Sequence, residues 1–96
     1  MVYIYRYYNQ YESKTYYIGK TNDLQKQDKE HLKNSDWCYN ALSLEYIPCD
    51  ENIAENVLSY FIKKFKPLYN TEIPKYKFSF KMLSYIYNNT WHKIRR

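Results

Sequence analysis

The side chains of this 96-residue chain that can do chemistry are first of all cations, and they are unevenly placed. Residues 63–96 carry nine Lys/Arg and one acid, Glu72, whereas residues 1–48 carry six of each sign and cancel. Rings interleave with the cations of the C-terminal third: Phe65, Tyr69, Tyr76, Phe78, Phe80, Tyr85, Tyr87 and Trp91. Cations neutralise phosphates, and exposed rings stack on unpaired bases. The chemistry implied is recognition of an anionic partner, either nucleic acid or an acidic protein surface. The candidate contacts are Lys20, Lys26, Lys29, Lys63, Lys66, Lys75, Lys77, Lys81, Trp91, Arg95 and Arg96. The plainer reading makes the rings core and the lysines its solvated rim.

Other chemistries are narrowed by what the sequence holds. Gly19 is the single glycine, so neither a Walker A loop nor a Rossmann fingerprint is present. Cys38 and Cys49 are eleven residues apart with no His or Cys beside them at zinc-like spacing. They read as reduced thiols, and with no secretory pattern at the start the expected location is cytoplasmic. No apolar run approaches the ~20 residues needed to span a bilayer, so no membrane partner is expected. Tyr, Asn, Lys and Ile supply 43 residues, a bias that points to AT-rich coding.

The elements that must position these groups follow from periodicity. Residues 3–8 and 15–20 are β-branched and aromatic, which predicts a hairpin around a polar loop from Asn9 to Lys14. Asn22 and Gln25 form a capping-box-like pair that opens a largely polar helix. Leu24, Gln27, Asp28, His31 and Leu32 share one side of it, and the stretch from Asn34 to Cys38 ends it. Residues 41–47 predict a third strand that Pro48 stops. Asp50 caps a second helix through Phe65, with Ile53, Val57, Leu58, Phe61, Ile62 and Phe65 as its apolar stripe. Lys66-Pro67 ends it, because the residue before proline avoids the helical region. Residues 68–78 read as irregular, and Ser79 caps a short helix over 79–88.

Two tripeptides stand in the hairpin: Tyr3-Ile4-Tyr5 and Tyr17-Ile18-Gly19, with eleven residues between Tyr5 and Tyr17. The string YIGKTNDL continues the second, His31 follows on the first helix, and KPLYN follows the second helix. Over roughly residues 3–70 this pattern resembles the GIY-YIG nuclease superfamily. The resemblance implies an α/β (α+β) sandwich with a three-stranded, mostly antiparallel sheet flanked by helices. Residues 1–96 then form one domain, with the core at about 3–70 and a basic aromatic extension over 71–96.

The resemblance also implies phosphodiester hydrolysis by two hairpin tyrosines, an arginine and a histidine or tyrosine of the first helix, and a glutamate of the second. A hydrogen-bonded tyrosine assists deprotonation of water, arginine offsets the phosphate's developing charge, and the carboxylate holds Mg²⁺ or Mn²⁺. Tyr5, Tyr17 and His31 match three of these positions, while Gly19 and Asn70 match structural ones. Tyr3 stands where the family has glycine. The arginine position, eight residues after Gly19, holds Gln27, and the glutamate position, four residues before Ile62, holds Leu58. Gln27 donates hydrogen bonds but carries no charge, and Leu58 has no oxygen.

The expectation is a catalytically degenerate scaffold that acts by binding nucleic acid or a protein, for example as a phage or mobile-element inhibitor of a host factor, and needs no cofactor. The alternative is an active, metal-dependent endonuclease with a displaced carboxylate. Glu55 would supply it from one helical turn earlier, ~5 Å along the axis.

Overall fold

Strand β1, Val2–Asn9, is apolar or aromatic at nearly every position, and both of its faces are covered. Ile4 and Arg6 project to one side, Tyr5 and Tyr7 to the other, as period-two alternation requires. The structure, a computed structural model, describes residues 1–70, 77 and 79–94. Around β1 stand β2 (Lys14–Thr21), β3 (Ser43–Cys49) and β4 (His92–Ile94). They make a four-stranded antiparallel sheet in the order β2-β1-β3-β4.

The fold class is the expected α+β arrangement, but the sheet has four strands where three are anticipated. The extra strand comes from the tail: Tyr46 pairs with His92 and Leu44 with Ile94. Short alternating segments such as these carry too little periodicity to be read from sequence. Pro48 lies inside β3, opposite Tyr3, instead of ending the strand. It is tolerated because β4 reaches only to Tyr46, which leaves that part of β3 open on one side.

Among the described residues three helices cover the sheet: α1 (Leu24–Asn34), α2 (Glu51–Phe65) and α3 (Phe80–Asn88); a short 3₁₀ helix, Asp36–Asn40, leads from α1 to β3. Asp23 caps α1 by accepting from the Lys26 amide, one residue later than the sequence suggests. The Thr21 hydroxyl accepts the Asp23 amide and fixes that turn. Asp50 caps α2 and Ser79 caps α3, each accepting a first-turn amide. Lys66 closes α2 in the left-handed region (φ 48°), immediately before Pro67.

Two cores result, one on each face of the sheet. Ile4, Ile18 and Ile47 meet Ala54, Val57, Phe61 and Ile62 of α2 and Met82 of α3. The other face joins Tyr5, Tyr7, Tyr16 and Leu44 to Cys38 and Ala41, with Leu24, Leu32 and Trp37 packed against them. The cysteines are thus buried in separate cores. Tyr16 sits at a bulge, since Tyr7 pairs with Tyr17 and Tyr8 with Thr15. Among the described residues no helix is long and apolar enough to cross a membrane.

The outer edge of β2 is occupied. The amides of Leu68 and Tyr69 donate to the carbonyls of Thr15 and Tyr16. Asn70 then completes the row with its side chain, accepting from Ile18 N and donating to Ile18 O, both at 2.9 Å. Asn56 uses its carboxamide in the same two-bond way on the backbone of Lys77.

Candidate functional site

The α1 side of the sheet gathers the titratable rings. Tyr5 and Tyr7 leave β1 on this face, Tyr17 leaves β2 beside them, and His31 descends from α1. Tyr5 Oη and His31 Nε2 are 3.0 Å apart, and the Gln27 amide nitrogen approaches the same imidazole nitrogen at 3.5 Å. The Tyr7 hydroxyl, almost fully buried, donates to Asp28 Oδ1 at 2.6 Å, a charge-assisted bond that ties α1 to the sheet.

Rings close the site. His31 lies 5.0 Å from Tyr17, 5.3 Å from Tyr7 and 5.8 Å from Tyr5, centroid to centroid. Trp37 stacks on Tyr17 at 5.6 Å and on Tyr69 at 5.2 Å, and it also meets Tyr7 and His31. Its indole lies across the tyrosine and histidine rings as a cover. Tyr5 is 3% exposed. Burial pushes its hydroxyl far above the ordinary tyrosine range, and Tyr17 pushes the same way. Tyr5 therefore stays protonated at neutral pH and serves as a hydrogen-bonding partner of His31.

Four positions named from sequence thus come together: Tyr5, Tyr17, Gln27 and His31. Gly19 lies directly opposite Tyr5 in the strand pairing. Leu58 does not join them. It packs against the Ile4–Ile18–Val57 core on the far face of the sheet, where its apolar side chain belongs. Glu55 is exposed on α2 and forms an ion pair with Lys20, so both are engaged with each other. Among the described residues no group of three or more His, Cys, Asp or Glu side chains is placed to hold a metal ion.

The cationic candidates are dispersed. Lys26 and Lys29 are exposed on α1, Lys63 and Lys66 lie at the end of α2, Lys77 is held by Asn56, and Lys81 is exposed on α3. Lys75, Arg95 and Arg96 lie outside the described residues. Trp91 is not an open stacking platform. Its ring is 5.1 Å from Phe61 and 4.9 Å from the Arg6 guanidinium, half-buried at the edge of the α2 core.

Trp37 and Tyr7 are the site residues that carry no mark in the sequence, whereas Asp28 shares the Gln27–His31 side of α1 and Tyr69 stands in the KPLYN string. An aromatic residue in a polar stretch after a helix is the only trace Trp37 leaves. Comparison of the chain with protein-family models, with curated proteins and with solved structures returns no match. The reading of the site rests on its geometry and on the residues themselves.

Proposed function

We propose that the protein is a GIY-YIG-like scaffold that binds nucleic acid without cleaving it. The observation that carries this reading is Gln27. It enters the Tyr5–Tyr17–His31 cluster from α1, where the resemblance puts an arginine, and it is neutral. A phosphate brought there would meet from α1 the neutral carboxamide of Gln27 in place of a guanidinium. Loss of one such electrostatic donor typically costs ~10²–10³ in rate. Leu58, at the carboxylate position, adds a second deficit and lies in an apolar core. The excess of cations supports an anionic partner, and their spread over several elements suits a long one such as a nucleic-acid strand.

The test combines cleavage and binding. Supercoiled plasmid, branched DNA and RNA are incubated with the protein and Mg²⁺ or Mn²⁺, and mobility shifts are run at low salt. The expected result is retention that weakens steeply with salt and substrates that stay intact. Metal-dependent cleavage abolished by His31→Ala would overturn the non-cleaving reading. Loss of that cleavage in Glu55→Ala as well would favour the displaced-carboxylate endonuclease, in which Glu55 must leave Lys20. An absence of any shift would overturn nucleic acid as the partner.

A further inference from the structure

A cleft of about 450 Å³ opens between the β1–β2 hairpin and the C-terminal end of α2. Among the described residues every charged side chain lining it is a cation: Arg6, Lys14, Lys64 and Lys66. Ser13 and Thr15 add hydroxyl groups. Arg6 reaches it from the face of β1 opposite the Tyr5–His31 cluster.

The floor of the cleft is built, not loose. The Arg6 guanidinium lies 4.6 Å from the Phe65 ring centre, 4.7 Å from Tyr8 and 4.9 Å from Trp91. Its Nε and Nη2 both donate to one oxygen of Glu45, at 3.0 and 2.5 Å. A guanidinium has further N–H groups beyond those two, held here in a fixed plane. The two rims are turned by Ser13 (φ 53°) and Lys66 (φ 48°), both non-glycine residues in the left-handed region.

The charges do not cancel. Glu45 offsets one cation, and the C-terminus of α2 contributes roughly half a negative charge. Four cations outweigh both. A planar donor fork at the bottom and ammonium groups at the rim suit a tetrahedral oxyanion.

We propose that this cleft binds a backbone phosphate of a nucleic-acid strand. The polymer rests on the nucleic-acid reading above; the phosphate site itself rests on the cleft. It lies on the opposite side of the sheet from the tyrosine–histidine cluster.

The test uses the full chain and two charge-matched double variants. Lys14→Gln/Lys64→Gln removes two rim cations. Lys33→Gln/Lys93→Gln removes two exposed cations elsewhere. Affinity for labelled single- and double-stranded oligonucleotides is measured by anisotropy against salt, and backbone amides are followed by NMR during titration with inorganic phosphate. The cleft variant is expected to lose about tenfold in affinity at low salt, and its salt slope on single strands to shrink by about 0.7, one phosphate's worth. The control variant keeps near wild-type affinity and slope. Phosphate is expected to shift the amides of Ser13, Lys14 and Thr15. If oligonucleotides bind but the cleft variant falls no further than the control and phosphate leaves those amides unmoved, the cleft is overturned while the nucleic-acid reading stands. If no oligonucleotide binds but phosphate moves them, the phosphate site stands and nucleic acid is overturned as its source. If neither binds, both fall.

Discussion

The ring of Tyr5 lies over the backbone of Gly19. A Cβ built on Gly19 would stand 2.5 Å from Tyr5 Oη, 2.6 Å from Cζ and 3.0 Å from Cε1. The two residues are direct partners across β1 and β2, so their side-chain positions share one face. An absent side chain on β2 is what lets the Tyr5 hydroxyl reach His31 on α1. The need for glycine here is steric and does not involve a positive φ.

Gly19→Ala is therefore expected to destabilise the protein by ~1–3 kcal/mol through overpacking. In a Tyr5→Ala background, itself costly, the same substitution should cost close to nothing. Urea unfolding of the four variants in this cycle reads the coupling.

Tyr5 also gives an alkaline signature. Burial raises its pKa in the fold above the unfolded value, so the folded state holds the proton more tightly than the unfolded chain. That contribution is fully present below pH ~10 and is lost as pH rises further. Tyr85 is raised in the same direction by its own burial. Urea midpoints measured from pH 8 to 11 should fall at the alkaline end, and Tyr5→Phe should flatten that fall.

The Arg6–Glu45 pair supplies a different test. Both side chains are largely buried, 12% and 15% exposed. Breaking a buried pair from one side leaves an uncompensated charge, at ~3–5 kcal/mol. Glu45→Ala should approach that loss, since the rings around Arg6 stay in place. Arg6→Met/Glu45→Leu should recover much of it, because apolar replacement of a buried pair is often neutral. Thermal unfolding of the three proteins decides the order.

How much of this was legible in the sequence depends on the residue. The α2 stripe of Val57, Phe61 and Ile62 repeats at helical spacing and packs as a stripe does. Ser79 and Asp50 announce their helices through hydroxyl and carboxylate caps. The hairpin faces are harder. The bulge at Tyr16 shifts the β2 alternation by one residue, so no period-two count over TYYIGK assigns its sides. β4 is three residues long and is defined only by the strand it joins. Within the site, Tyr5, Tyr17, Gln27 and His31 were marked by a motif and do meet. Trp37 was not, because ring stacking between a 3₁₀ turn and the residues after α2 has no sequence period. Arg6 was passed over because a lone arginine inside a tyrosine strand gives no sign of which face it takes.

Asn70 offers the sharpest hydrogen-bond prediction. Its carboxamide accepts from the Ile18 amide and donates to the Ile18 carbonyl. Asn70→Asp keeps the acceptor but sets a carboxylate oxygen against that carbonyl. A destabilisation of ~1–3 kcal/mol is expected for it and for Asn70→Ala. Hydrogen exchange at the Ile18 amide should quicken in Asn70→Ala and much less in Asn70→Asp.

The same carboxamide has a consequence for how copies of the chain treat one another. An uncovered strand edge is a template on which a second molecule can add a strand, the first step toward aggregates. On β2 the template from Thr15 to Ile18 is already filled, by two backbone amides and by one side chain standing in for a third residue. At the other border, among the described residues, β4 presents only His92–Ile94, and Pro48 interrupts the stretch of β3 that β4 leaves open. In a protein with 14 tyrosines and strands of up to eight residues, part of the β2 edge is thereby closed to a second molecule, and Asn70 is the piece of that cover that a single codon change would remove.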